Sequence, residues 1–297
     1  MDLPDSYFKY DESAIIAQRN HFRLIRNELS LLVVVVLLSL IIAFFHNEII
    51  STIGFSVIFV IFLIGILIQL QSTKKQYERK WFEFRAVAES IKSLAWQYAM
   101  ACGDFCEENE ANNLFLQKIK QIKEIYKVNP DPKTISSGIL LDIKQSMEEV
   151  RKMGWKEKRE TYINERIDNQ ITWYTDKSKV KDELSEKYDR IVIFLQIVGI
   201  GICIVFLYTR INGAPALALI VTLIAGIIGW SRSNQYAELV EPYQNTAREL
   251  NEIRQEIELA KVEIDFQCLV IEAEQAISRE HTMWRAKRGL YSLCSLV

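Results

Sequence analysis

Four runs without a charged side chain interrupt a sequence that otherwise alternates apolar and polar positions at helical spacing. The first extends from Leu29 to Phe45 and the second from Ile49 to Thr73, with His46, Asn47 and Glu48 between them. The third lies between Arg190 and Arg210 and the fourth between Arg210 and Arg232, where Ile211, Asn212, Gly213 and Pro215 supply a turn. A helix rises about 1.5 Å per residue, so runs of this length cover the roughly 30 Å of bilayer hydrocarbon. The pattern predicts an all-α membrane protein with two transmembrane hairpins, their spans near 29–45, 51–71, 191–208 and 214–231.

Between and after the spans the periodicity changes to that of amphipathic helices. Tyr77, Trp81, Phe84, Ala88, Ile91, Ala95, Tyr98 and Cys102 recur at steps of four and three, the seam of a coiled coil or tight bundle. The second span is therefore expected to continue into a helix over 74–102 without a break. Past the fourth span Pro242 interrupts or kinks the chain. Tyr243, Ala247, Leu250, Ile253, Ile257, Ala260, Ile264 and Ile271 then form a second such face, in a helix over 243–284 that similarly extends the fourth span. The middle of the chain reads as a helical connector: a short helix bearing Leu114, Ile119, Ile122 and Ile125, a turn over Asn129 to Pro132, and a helix from Ile139 to Met153. With Gly154 as boundary, a long helix from about Lys158, bearing Ile163, Ile167, Ile171, Tyr174, Leu184 and Tyr188, could run straight into the third span, roughly 75 Å if unbroken. The plan is stated twice: a first unit over 1–102, a connector over 103–157 and a second unit over 158–297.

Composition and charge sharpen this reading. Of 297 residues, 49% are hydrophobic and 25% charged, and only five are proline, so the apolar excess belongs to the four runs. The net charge of -2 gives no global basic excess, which argues against a nucleic-acid partner. Arg19, Arg23 and Arg26 precede the first span; Lys74, Lys75, Arg79, Lys80 and Arg85 follow the second; Lys187 and Arg190 precede the third; Arg232 follows the fourth. The hairpin tips carry only Glu48 and Arg210. The positive-inside rule then places both termini and the middle region in the cytoplasm, the arrangement expected of a multi-pass protein of the bacterial inner-membrane type. The first apolar run is too long and starts too late for a cleaved signal peptide.

Candidate chemistry is sparse. Cys102, Cys106, Cys268 and Cys294 fall in expected cytoplasmic segments and Cys203 in a span, which predicts free thiols. The Cys102 and Cys106 spacing could join a metal site, but no second Cys or His pair accompanies it. There is no Gly-rich phosphate loop, no HExxH and no GxSxG, and His21, His46 and His281 are scattered, so neither an enzyme nor a cofactor is expected. His281 has the most suggestive neighbours, Glu280 and Trp284, and reads as a surface or capping residue. Runs such as Glu249 to Lys261 read as solvated helix faces.

Polar and small residues inside the spans carry the functional hint. Gln196 lies in the third span, Gln69 and Gln71 close the second, and Ser39, Ser56 and Thr222 interrupt the apolar runs; such groups need partners. Ala218, Thr222, Ala225 and Gly229 form a small-residue stripe on the fourth span, and Gly199 and Gly201 thin the third. Two readings stand: close packing within one hairpin bundle, or the lining of a water-filled path in an oligomer. No intramembrane Asp, Glu, Lys or Arg supports a proton relay, an ion-coupled transporter or a voltage sensor.

Three segments resemble a known family. The stretch Phe84-Arg85-Ala86-Val87-Ala88-Glu89-Ser90-Ile91-Lys92-Ser93-Leu94-Ala95-Trp96-Gln97-Tyr98-Ala99-Met100 resembles the motif that follows the hairpin in SLATT proteins, two-transmembrane effectors associated with SMODS nucleotidyltransferases and SLOG sensors. Arg159, Tyr162, Arg166, Gln170, Trp173, Tyr174 and Lys177 look like the lead-in to a second SLATT unit, and Glu280 to Arg288 is similar to its closing motif. The resemblance implies a tandem of two SLATT subtypes acting as a bacterial anti-phage effector that oligomerises into a pore and disrupts the inner membrane when triggered. It supplies no catalytic residues. Its trigger would act through the cytoplasmic helices or through a separate nucleotide-sensing or signalling partner. The residues expected to line a pore or pack the spans are Gln196, Gly199, Ala218, Thr222, Ala225 and Gly229. Those expected on oligomeric or regulatory faces are Tyr77, Trp81, Phe84, Ile91, Trp96, Tyr98, Trp173, Tyr243, Leu250, Ile257, Ile264 and Trp284. The competing expectation is a non-conducting scaffold that recruits cytosolic partners through its long helices.

Overall fold

The computed structural model of the protein describes residues 1–45, 47–108, 110–130, 141–209 and 214–287, with Phe206 and residues 279–287 as helix backbone alone. The described chain is helical, without strands. Its elements are α1 (Asp5–Phe45), α2 (Glu48–Lys75), α3 (Tyr77–Met100), a single 3₁₀ turn (Gly103–Phe105), α4 (Ala111–Tyr126), α5 (Gln145–Lys152), α6 (Trp155–Tyr162), a π turn (Ile163–Ile167), α7 (Asp168–Thr209), α8 (Ala214–Asn234), α9 (Val240–Leu259) and α10 (Glu263–Lys287). The expected turns at His46 and at Arg210 to Gly213, the Asp131 to Pro132 part of the middle turn, Ile139 and Leu140, Cys294, and the side chains of Glu280, His281 and Trp284 lie outside the described residues, and the helix expected from Ile139 starts only at Gln145, residues 141–144 being non-helical.

Two compact units divide the chain, and neither is contiguous in sequence. One, the bundle unit, comprises Met1–Gln18, Glu78–Ser178 and Glu241–Val297; the other, the hairpin unit, comprises Arg19–Tyr77 and Lys179–Val240.

In the hairpin unit, four helices are long and apolar enough to cross a membrane. None of the apolar window of α1, α7 or α8 is buried within the protein, and only 11% of that of α2 is. A helix apolar on all sides yet uncovered by its own chain is suited to a lipid solvent, in which backbone groups must be satisfied within each helix. Asn47 caps α2: its side chain accepts from the Ile49 and Ile50 amides at 2.9 and 3.2 Å. The α1–α2 hairpin closes tightly at Gly54, where a Cβ would lie 2.6 Å from Ile42 Cδ1. Phe22 of α1 meets Trp230 of α8 edge-on at 5.8 Å. Lys181 of α7 donates to the carbonyl of Asn234 at 2.8 Å, closing the exposed end of α8.

The expected unbroken exit of the second span is corrected: Gln76 adopts the left-handed conformation (φ 48, ψ 46) and ends α2, with its amide on the Ser72 carbonyl. After Lys74 and Lys75 the helix has left the apolar run, and the αL residue lets α3 start afresh on a new axis. The fourth span is likewise not extended by one helix. Gln235, also left-handed (φ 51), opens a five-residue turn before α9, and Pro242 sits in the first turn of α9, where its missing amide removes no helical bond.

In the bundle unit, α3 is the central helix. The sequence pattern gives it one seam, but from Phe84 onward it is buried nearly all round: Ala86, Val87, Glu89, Ser93, Leu94, Trp96, Ala99 and Met100 are buried as well as Phe84, Ala88, Ile91, Ala95 and Tyr98. The correction has a simple cause: α3 has neighbours on more than one side. Tyr10, Ala14 and Ala17 of α1, Phe115 and Ile119 of α4 and Met147 of α5 pack into one apolar core with it. Each such fully buried large side chain contributes about 1.5–3 kcal/mol of transfer free energy. The connector is thus part of the core. Within α4 it is Phe115 and Ile119 that are buried, while Ile125 is 48% exposed. A second side of α3 faces Tyr162, which meets Trp96 edge-on at 5.7 Å and Phe266 at 6.3 Å.

Polar ties fix the first turn of α1. Ser6 donates to Asp142 Oδ2 at 2.9 Å, Lys123 to Ser6 at 2.7 Å, and Lys144 pairs with Asp5 at 2.6 Å. Arg151 closes the end of α3, giving its guanidinium to the carbonyls of Tyr98 (2.7 Å) and Phe105 (2.6 Å) and lying over the Tyr98 ring. In α9, Tyr243, Leu250, Ile253 and Ile257 are buried as the pattern requires. Ile264 is the correction: it is 67% exposed, because the chain breaks between α9 and α10 and the buried face of α10 starts instead at Phe266, followed by Val270, Ala273 and Ile277.

Candidate functional site

Two groups of residues carry the chemistry of this fold, one in each unit. In the hairpin unit, hydroxyl residues of the spans find partners on their own helices. Ser39 donates to the Val35 carbonyl, Ser56 to Thr52, Thr209 to Val205 and Thr222 to Ala218, at 2.7–2.9 Å. Back-bonding of this kind satisfies a hydroxyl in lipid without a second helix. Gln196 is exposed on α7. Ala218, Ala225 and Gly229 are exposed on α8 and Thr222 partly so; the small stripe is not used for packing among the described residues. Gly199 faces the neighbouring helix, a Cβ there lying 3.7 Å from Ile220, whereas a Cβ at Gly229 would meet nothing within 4 Å. A cleft of about 890 Å³ opens at the hairpin tips, lined by Leu40, Phe44, Glu48, Ser51, Thr52, Pro215 and Ala216 among others.

In the bundle unit the centre is a buried ion pair. Arg166 and Glu274 have side chains 1% and 0% exposed, and the guanidinium meets the carboxylate in fork geometry, Nε to Oε1 at 2.8 Å and Nη2 to Oε2 at 2.7 Å. Tyr162 donates its hydroxyl to Oε1 at 2.9 Å and Ser93 to Oε2 at 2.6 Å, so the carboxylate accepts four hydrogen bonds. Burial opposes the charge on Arg166, yet the carboxylate and its hydrogen bonds outweigh that and push the guanidinium pKa above its ordinary value. Burial, then the adjacent carboxylate, hold the Tyr162 hydroxyl well above the usual phenol range, so it stays a donor. One guanidinium nitrogen, Nη1, is buried without a hydrogen-bond partner. Close to this pair along α3, Arg85 bridges Asp11 and Glu89 at 2.7 Å each. Lys92 lies 5.7 Å above the Tyr7 ring, whose hydroxyl is pushed up to about 12 by burial and by Glu89 and Asp11.

Local folding explains how Arg166 reaches its partner. It sits in the π turn, where the Asp168 amide bonds the Ile163 carbonyl five residues back and the helix is widened by one residue. Glu274 lies on the buried face of α10, among Val270, Ala273 and Ile277. Tyr162, Arg166 and Ser93 all belong to segments that carry the family resemblance, but their convergence on Glu274 was not legible there. The available signal was a lone carboxylate on an otherwise apolar helical face.

Most of the remaining expected regulatory residues pack within the bundle unit. Phe84, Ile91, Trp96, Tyr98, Tyr243, Leu250 and Ile257 are buried, Tyr77, Trp81 and Trp173 are half-buried, and Trp173 packs on Tyr243 at 5.6 Å. Cys102 is buried, with its thiol on the Gln97 carbonyl and its pKa raised by burial, while Cys106 is exposed. Among the described residues no group of His, Cys, Asp and Glu is arranged to hold a metal ion.

No curated protein and no solved structure matches the chain. Two family models do: SMODS and SLOG-associating 2TM effector domain 3 over residues 4–159, and SMODS and SLOG-associating 2TM effector domain 1 over residues 162–284. Each match contains one of the two hairpins, in agreement with the four apolar helices and with a role among effector domains of conflict systems. The first match alone covers more than half of the sequence, and the chain belongs to the SLATT family as a membrane protein carrying two SLATT domains in tandem.

Proposed function

We propose that the protein is an oligomeric, pore-forming effector of a bacterial anti-phage system, seated in the inner membrane with both termini and the bundle unit on the cytoplasmic side. The observation that carries this reading is the outward face of α8. Ala218, Ala225 and Gly229 are exposed, and small residues at these steps let another helix approach closely, so their natural complement is a second copy of the chain. Gln196, exposed on the third span, supplies a polar group to a path formed between copies. The basic flanks from Arg19 to Arg26 and from Lys74 to Lys80 support the orientation. The protein acts without catalysis, through membrane permeability, and its trigger is a separate signalling partner.

The test is ion and dye flux across liposomes reconstituted with the purified full-length chain. Ala218→Leu and Ala225→Leu are expected to change conductance and the size of the assembly, and Gln196→Leu to change conductance alone. Liposomes that stay tight at high protein density, with or without cell extract from infected bacteria, overturn the pore. In that event the scaffold reading takes its place, favoured by the exposed Leu259, Val262 and Ile264 (75, 50 and 67%) at the joint between α9 and α10.

A further inference from the structure

The helix that becomes the third span does not start at the membrane. α6, the π turn and α7 follow one another without interruption from Trp155 to Thr209. A π turn holds one residue more than an α turn, with poorer backbone geometry, and is sustained by side chains that fix it. Here those side chains are identifiable. Arg166 is bound bidentately by Glu274, Tyr162 at the start of the turn donates to the same carboxylate, and Ser93 of α3 completes it. Glu165, the residue before Arg166, holds the Met1 ammonium at 2.6 Å. Arg166 Nη1 is buried without a hydrogen-bond partner.

Winding the turn down to α-helix absorbs one residue. Everything downstream then rotates about the helix axis by about 100° and shifts by about 1.5 Å, the step of a single residue. α7 is unbroken to Thr209, so that step reaches the third span and the exposed Gln196.

We propose that the π turn at Ile163–Ile167 is a register switch for the third span, held in its widened state by the clamp of Glu274 on Arg166. A signal that draws α10 away, or a ligand that competes for Arg166, releases the extra residue and turns α7 by one position. The device depends on the continuity of the helix and not on whether the spans conduct, so its test uses no conductance.

The full-length protein in vesicles, with its own cysteines replaced by serine or alanine, is spin-labelled in turn at positions 192–200. Collision rates with oxygen and with a water-soluble nickel chelate then give the phase of the lipid-facing side of α7. Glu274→Gln is expected to move that phase by one residue, about 100°. Deleting the exposed Asn164 removes the extra residue while keeping the downstream register; the phase should stay at the wild-type value, and should stay there when Glu274→Gln is added. Tyr162→Phe and Ser93→Ala, which each strip one hydrogen bond and leave the ion pair, should give two-component spectra mixing both phases. The proposal is overturned if Glu274→Gln, with its helix content intact, keeps the wild-type phase. It is equally overturned if the shift survives deletion of Asn164, or, should Glu274→Gln fail to fold, if both milder variants show the wild-type phase alone.

Discussion

Removing one partner of the Arg166–Glu274 pair should be far more damaging than removing both. Arg166→Met leaves a buried carboxylate with only the Tyr162 and Ser93 hydroxyls, and Glu274→Met leaves a buried guanidinium with no acceptor at all. Uncompensated buried charge of this kind costs about 3–5 kcal/mol, a factor of roughly 150 to 5,000 in the folding equilibrium. The double variant Arg166→Met with Glu274→Met has no buried charge. It loses the acceptor for two hydroxyls, about 1 kcal/mol each, and regains part of that from two flexible apolar side chains in the space between Val270, Ala273 and Ile277. It is expected to lie within about 2 kcal/mol of wild type, so the coupling between the sites is several kcal/mol. The measurement is denaturant unfolding in detergent micelles followed by circular dichroism, with amide exchange along α3 reporting the bundle separately from the spans. Additive effects in the cycle, or single variants costing under about 1 kcal/mol, would refute a desolvated pair at the centre of the bundle.

Gly54→Val should open the first hairpin, since a Cβ there already comes within 2.6 Å of Ile42 Cδ1 and 2.7 Å of Cγ1; a loss of about 1–3 kcal/mol, largely restored by adding Ile42→Ala, is expected in the same unfolding assay. Lys158, buried at 5% exposure, has its ammonium pKa lowered by desolvation despite Glu263, so near neutral pH folding works against its charge. In the window between the folded and unfolded pKa values the unfolded chain binds more protons, and stability rises with pH. Lys158→Met should accordingly raise the melting temperature at pH 7 and lose that advantage as the pH passes above 10.5, the lysine's ordinary value. Maleimide should modify Cys106 and Cys268, both exposed, well before Cys102, which is buried with a raised thiol pKa; equal rates by peptide mass mapping would contradict the packing at the end of α3. A fragment ending at Glu160 should aggregate alone and be rescued by co-expression with the remainder, because it leaves Ser93 and Trp96 facing no partner from Tyr162 and Glu274; a monodisperse fragment with native amide protection in α3 would show the halves to be independent.

How much of this was legible in the sequence depends on which solvent a residue meets. The spans were readable because lipid demands long uncharged runs, and nothing in a soluble core imitates Leu29 to Phe45. Helix breaks were not. Gln76 and Gln235 take the left-handed conformation without being glycine or asparagine, so neither break had a marker in residue type. The single seam expected on α3 failed for a tertiary reason. Ala86, Ser93 and Ala99 are small enough to be approached on faces that carry no large apolar residue, and only the topology says that neighbours arrive there. The π turn had no signal either, since Ile163-Asn164-Glu165-Arg166-Ile167 has the same residue types as an ordinary helical stretch, and the extra residue is imposed by where Glu274 stands. The small stripe of α8 was visible in sequence, and its exposure required the structure.

The two family matches follow one another along the chain, 4–159 and then 162–284, but the folded units do not respect that order. The bundle unit takes α3, α4, α5 and most of α6 from the first match and the π turn, α9 and most of α10 from the second; the hairpin unit takes two spans from each. Ser93 is in one match, and Tyr162, Arg166 and Glu274 are in the other, so the buried carboxylate is completed only when both halves are present. The ion pair itself lies within the second match; what crosses the division is the Ser93 hydrogen bond to Glu274 and the contact of Trp96 with Tyr162. Association of the halves gives the Ser93 hydroxyl its buried acceptor and packs Trp96 against Tyr162, so the burial of the ion pair and of that hydroxyl is completed together. The apolar core of α3 supplies affinity between the halves, and the Ser93 hydroxyl, which must meet the buried carboxylate, disfavours any other register. That division of labour keeps the bundle in one arrangement while leaving a single buried contact through which a change in α10 can be felt along α7.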